Sequence, residues 1–100
     1  MKMTVWHAKE PNFGMGEHPK FDEQHFEKVA ELSTYTPEDA FHLTNHIDKE
    51  WWKNSGIFWH KPQSRSTSVG DVIVQEDGKQ FRVDPVGMSE FSEHLSKMVT

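Results

Sequence analysis

Two histidines at helical spacing are the first residues whose types and positions suggest chemistry. His42 and His46 lie on one face of a predicted helix, at the i, i+4 spacing that lets two imidazoles bind zinc together. A zinc site needs more ligands. No glutamate follows the first histidine, and a third imidazole would have to come from elsewhere in the chain. We therefore favour two solvated side chains on a polar helix face, and we expect no metal ion or other cofactor.

Aromatic residues followed by cations form a second candidate site. They are Trp51, Trp52, Phe58, Trp59, His60, Lys61 and Arg65. Aromatic rings stack on bases while cations neutralise phosphates, so this combination is typical of single-strand nucleic-acid binding. In a domain with few aliphatic residues the same rings are also obvious core residues, and we give that interpretation more weight.

The serine-rich segment around Arg65 is a third candidate. Hydroxyl groups from Ser66, Thr67 and their neighbours, together with one guanidinium, can bind an anion such as phosphate. No glycine-rich loop with a lysine precedes a helix, which excludes the phosphate loop of nucleotide hydrolases. The alternative is a loop whose hydroxyls hold the backbone before the next strand, with Gly70-Asp71 as a turn.

Catalytic groupings are not recognisable in the sequence. The chain has no cysteine and no Gly-x-Ser-x-Gly motif, and spacing singles out no group of serine, histidine and acid. The paired acids Glu38 and Asp39 fit stabilisation of a helix start. An enzyme is therefore disfavoured, and a small enzyme or metal-binding protein with an unrecognised site stays an alternative.

Composition indicates one small domain spanning residues 1–100. The absence of cysteine excludes disulfides, and the N-terminus lacks the apolar run of a signal peptide. No stretch approaches the roughly 20 apolar residues of a membrane span, so we expect a cytoplasmic protein without membrane contact. The net charge of -5 disfavours a surface devoted to nucleic acid.

The first half of the chain predicts two strands and a helix. Residues 3–8 favour a strand, 9–24 a long loop, and 25–34 fit a strand slightly better than a helix. A central helix is expected over 37–53, because Thr36 can cap it and Pro37 suits its first turn. Phe41 and Trp52 lie off the inward stripe of this helix, where they form a second apolar edge that requires a neighbour or a partner.

The second half predicts a hairpin and a second helix. Residues 57–68 are expected to form an exposed loop, and 71–84 a β-hairpin with Asp77-Gly78 as a two-residue turn. In that register Val74 faces Phe81, and both are buried. A C-terminal helix over 89–99 is expected to start at Ser89. The predicted fold is α+β, with a small mixed or antiparallel sheet carrying both helices.

Several segments together resemble small uncharacterised proteins of bacteriophages and mobile elements. They are Ala-Phe-His-Leu-Thr-Asn-His-Ile at 40–47, Trp51-Trp52, Arg-Ser-Thr-Ser-Val-Gly-Asp-Val-Ile at 65–73, Phe-Arg-Val at 81–83, and Gly87. The segment beginning at Arg65 also resembles the YodL-like domain. The resemblance covers roughly residues 26–91. It implies a phage or plasmid accessory protein with an α+β fold, and it implies no activity.

These observations predict a non-enzymatic accessory protein that binds a host macromolecule. A protein partner is favoured over nucleic acid because of the net negative charge, and single-strand binding through the aromatic and basic segment stays the alternative. The oligomeric state stays open. The expected binding residues are Phe41, Trp52, Trp59, Lys61, Arg65, Ser66 and Thr67.

Overall fold

The computed structural model describes residues 1–10, 19–45, 57–61 and 64–91. Within them the chain forms one sheet of antiparallel strands in the order β3-β2-β1-β4-β5-β6, together with one short helix. The elements are β1 Lys2–Ala8, β2 Phe26–Ser33, α1 Pro37–Thr44, β3 Ile57–His60, β4 Val72–Gln75, β5 Gln80–Asp84 and β6 Gly87–Phe91. The predicted α+β class is therefore wrong, since the described chain is mostly β.

β1 lies inside the sheet, and apolar side chains cover both of its faces. Alternation along a strand directs Met3 and Val5 to one face and Trp6 and Ala8 to the other. The first face packs against α1 and the second against Phe21, which precedes β2. The sheet is thus the middle of the fold, with a separate apolar cluster on each side.

α1 begins where the sequence predicts. The Thr36 hydroxyl accepts a hydrogen bond from the Asp39 backbone N–H at 3.1 Å, and Pro37 occupies the first turn. The helix ends at Thr44, and residues 46–53 of the longer predicted helix lie outside the described residues. None of the helical structure described has the length and apolar character that a membrane crossing requires.

The predicted hairpin exists, but its register differs by one residue. Val74 pairs with Gln80 and Ile73 with Phe81. The turn contains three residues rather than two, because the Gly78 N–H donates to the Gln75 carbonyl and Gly78 adopts a φ of 94°. Phe81 consequently lies on the opposite face from Val74 and is only half-buried, which corrects the predicted buried face.

Two further segments form strands that the sequence did not predict. Residues 57–60, expected to begin an exposed loop, form β3 at the edge of the sheet. Gly87–Phe91 forms β6 after a tight turn through Pro85 and Val86, so the chain is extended at Ser89, where a helix was expected to start. Residues 92–99 of that predicted helix lie outside the described residues.

Candidate functional site

A fully buried carboxylate lies at the end of the serine-rich segment. Asp71 has no solvent exposure, and Arg65 binds it through both guanidinium nitrogens, with Nη1 2.6 Å from Oδ2 and Nη2 2.7 Å from Oδ1. The Ser68 backbone N–H donates to Oδ2 at 2.8 Å. We call this bidentate ion pair the Arg65–Asp71 clasp. Two parallel hydrogen bonds between charged groups are the strongest polar arrangement that carboxylate and guanidinium can form.

The Arg65–Asp71 clasp continues the sheet beyond the last backbone pair of β1 and β4. That ladder ends at Trp6 and Val72. Past it, the Ala8 N–H donates to Asp71 Oδ1 at 2.9 Å, and Arg65 Nη2 donates to the Ala8 carbonyl at 3.2 Å. Asp71 directly precedes β4, so its side chain accepts the hydrogen bond that a further β4 backbone carbonyl would otherwise accept. The clasp thereby satisfies both backbone groups of Ala8.

His7 lies beside the clasp and is also buried. Its Nε2 shares a 2.9 Å hydrogen bond with Thr67 Oγ1 and lies 3.8 Å from Asp71 Oδ2. Burial lowers the pKa of His7 from 6.5 to about 4, against the opposing effect of the Asp71 charge. The imidazole is therefore neutral at pH 7. The Thr67 backbone N–H donates to the Thr44 carbonyl, which ties this group to the end of α1.

An open cleft of about 240 Å³ adjoins the clasp. Its walls come from the end of β1, the start of β2 and the segment after β3, and they include His7, Lys9, Glu27, Lys61 and Arg65. Lys61 Nζ lies 2.7 Å from Glu27 Oε2, and Lys9 Nζ donates to the Glu23 carbonyl at 2.8 Å. We call this feature the basic cleft.

The structure brings together four of the predicted binding residues. Lys61 and Arg65 line the basic cleft, while Ser66 and Thr67 lie in the loop that closes the clasp. Arg65 was a candidate donor for an external anion, with a structural loop as the alternative, and its bidentate partner is Asp71 of the same chain. The Ser66 carbonyl accepts from Arg65, and the Thr67 side chain is fully buried.

An exposed aromatic pair lies on the edge strand β3. Phe58 and Trp59 keep 61% and 42% of their side-chain surfaces exposed, which is unusual for such large rings in so small a domain. The Lys28 ammonium lies 5.2 Å from the centre of the Trp59 ring and also pairs with Glu31. We call these two rings the β3 aromatic patch.

The remaining predicted site residues are dispersed. Phe41 is half-buried against the apolar cluster under α1, and Trp52 lies outside the described residues. His42 is exposed on α1, while His46 also lies outside the described residues, so the zinc hypothesis for the pair stays untested. In the described ranges no three His, Cys, Asp or Glu side chains are close enough to share a metal ion.

The sequence did not indicate that His7 and Glu27 belong to the site, or that Asp71 pairs with Arg65. His7 and Glu27 join the site through contacts between distant parts of the chain, with Thr67 and Lys61 respectively. The only local signal was the short spacing of Arg65 and Asp71 across a serine-rich loop. That spacing permits an internal ion pair, although it does not require one.

Comparison of the chain with protein-family models, with curated proteins and with solved structures found no match.

Proposed function

We propose that this is a non-enzymatic binding protein whose β3 aromatic patch contacts a partner protein. One observation carries the proposal: β3 is an edge strand of the described sheet with two exposed aromatic side chains. Edge strands of soluble proteins are usually protected by charges or proline, and Ile57–His60 contains neither lysine, acid nor proline. Exposed aromatic residues are also the side chains most often found at the centre of protein interfaces.

A protein partner is favoured over single-stranded nucleic acid because the nearby cations are already paired with carboxylates. Lys28 pairs with Glu31 at 2.6 Å, and Lys61 pairs with Glu27 at 2.7 Å. Arg65 is held by Asp71. Single-strand binding requires cations that neutralise successive phosphates, and each of these cations already has a carboxylate beside it.

The resemblance of residues 26–91 to small phage proteins is the reason for expecting a host protein as partner. A protein of that class would act in the cytoplasm of the host cell. The sequence has no recognisable nucleophile with a general base to activate it, which supports a binding role rather than catalysis.

Affinity capture from host lysate, followed by titration of the purified captured protein, tests the proposal. Trp59→Ser and Phe58→Ser are compared with Tyr35→Ser, which removes an aromatic side chain that is 91% exposed but lies outside β3. We expect each β3 variant to weaken binding by about 2 kcal/mol, or roughly 30-fold in Kd, with unchanged thermal unfolding. Tyr35→Ser should bind as wild type does.

Two results would contradict the proposal. The first is partner binding that survives both β3 substitutions in folded protein. The second is salt-dependent binding of a single-stranded oligonucleotide that Lys61→Gln abolishes, since this would favour the nucleic-acid alternative.

A further inference from the structure

The basic cleft concentrates positive charge on an acidic protein. The full chain carries a net charge of -5, yet the ionisable lining of the cleft consists of Lys9, Lys61 and Arg65 against the single acid Glu27, with His7 between them. Even with the buried Asp71 beside Arg65 counted, three cations face two acids. A concave surface with an excess of one sign of charge focuses the electrostatic field and attracts ions of the opposite sign. The cleft therefore favours an anionic ligand over a cationic one.

The remaining hydrogen-bond donors identify the kind of anion. A planar carboxylate is best bound by two N–H groups on one edge of a guanidinium, and Asp71 already occupies the Nη1–Nη2 edge of Arg65. The other cationic donors of the lining are the ammonium groups of Lys9 and Lys61, which come from different segments of the chain, while the Ser64 hydroxyl donates to the Lys61 carbonyl. Lysine binds phosphate as a point charge, so ammonium groups from separate walls suit a tetrahedral phosphate.

We propose that the basic cleft binds the phosphate group of a small phosphorylated molecule. The cleft volume of about 240 Å³ suits a compact ligand, because pockets for drug-sized molecules start at roughly 300 Å³. The neutral ring of His7 forms part of the cleft lining and adds no charge at pH 7. This site is separate from the β3 aromatic patch, so it does not depend on the proposed protein binding.

Glu27 is the competitor for the incoming phosphate. Its carboxylate lies 2.7 Å from Lys61 Nζ at the exposed rim of the cleft, where 39% of the Glu27 side chain is exposed. A phosphate must share or replace this ion pair. Removal of the Glu27 charge therefore strengthens binding of an anion, whereas it would weaken binding of a cation.

Titration of the full chain by ¹H–¹⁵N NMR tests the proposal at constant ionic strength. The probes are inorganic phosphate, glycerol phosphate as a phosphomonoester, and acetate as a planar anion. We expect saturable shifts of residues around the cleft with both phosphates. Lys61→Gln should weaken binding about tenfold, the value of one charge-assisted contact, and Glu27→Gln should tighten it several-fold. The control is Lys79→Gln, which removes an exposed lysine of the β4–β5 turn and should change nothing.

Each outcome decides the proposal. Phosphate binding with these opposite effects of Lys61→Gln and Glu27→Gln supports it, and the ratio of the two phosphate affinities distinguishes a free anion from an ester as the source. Acetate binding as tight as phosphate binding would overturn the assignment to phosphate. Absence of saturable shifts in both wild type and Glu27→Gln would overturn the site altogether.

Discussion

The buried His7 predicts a specific loss of stability in mild acid. The unfolded chain takes up a proton on this imidazole near pH 6.5, whereas the folded chain resists protonation until about pH 4. Between these values the unfolded state binds more protons, so the free energy of unfolding falls as the pH falls. The contribution is complete above pH 6.5 and is lost as the pH approaches 4.

The magnitude follows from the two pKa values. At about 1.4 kcal/mol per pH unit, the full difference corresponds to a loss of about 3 kcal/mol between pH 7 and 4, of which roughly 2 kcal/mol is lost by pH 5. Carboxylates contribute at lower pH. The hydrogen bond from Lys28 lowers the pKa of Glu31, so the stability from this acid is lost only as the pH falls below the unfolded carboxyl value. The interval from pH 7 to 5 therefore separates His7 from the carboxylates, and comparison with a variant that lacks His7 separates it from the other six histidines.

Urea unfolding at several pH values in this interval measures the effect. Wild type is compared with His7→Gln and with His42→Gln, which replaces an exposed histidine on α1. We expect the pH slope of wild type to persist in His42→Gln and to be reduced by about 2 kcal/mol over the interval in His7→Gln. An unchanged slope in His7→Gln, or an NMR titration of the His7 ring near pH 6.5, would show that this imidazole is not desolvated.

Three further predictions concern stability and are all measured by urea or thermal unfolding. Arg65→Met should cost about 3 to 5 kcal/mol, because it leaves the buried Asp71 carboxylate without its counter-charge, and Arg65→Lys should recover only part of this loss. Phe21→Ala should cost about 3 to 5 kcal/mol since the ring is fully buried, whereas Phe81→Ala, half-buried, should cost less than about 2. Thr36→Ala should cost about 1 kcal/mol through loss of the helix cap, and an unchanged melt would refute the cap.

The strands and caps that depend on local pattern were predictable. The β-favouring residues 3–8 indicated β1, alternation in 25–34 slightly favoured β2 over a helix, and the Thr36-Pro37 pair indicated the start of α1. These signals come from neighbouring residues, which the sequence displays directly. A bulge opposite Val5 and Trp6 interrupts the alternation of β2, so that Phe26 packs in one apolar cluster while Ala30 and Leu32 pack in the other.

The hairpin register could not be settled by the same reasoning. An Asp-Gly pair fits a two-residue turn, and it also fits the end of a three-residue turn in which glycine has a positive φ. The pattern favoured burial of Val72 and Val74 on one face, but this sheet buries Ile73 on the other face as well. When both faces of a sheet are covered, its inner strands carry apolar side chains on both sides. The sequence then lacks the polar face that would distinguish the two registers.

β6 was misjudged for a related reason. Phe91 fits the inward spacing of a helix, and Ser89 suits a helix cap. In the sheet the same Phe91 contacts Phe21 across one face, with ring centroids 5.8 Å apart, and Met88 packs on the other face. Tertiary packing overrides the local preference here, because each apolar residue finds a covered face of the sheet.

The clasp explains how a loop without regular structure can shape the basic cleft. Loops that lack internal bonds are usually the more mobile parts of a fold. The segment from Arg65 to Asp71, in contrast, is joined to β1 through Ala8, to His7 through Thr67 and to α1 through the Thr44 carbonyl. A wall held at three points stays in place when a ligand arrives, so binding there does not require the loop to be ordered first. Loss of the clasp should therefore weaken phosphate binding even where Lys9 and Lys61 are unchanged.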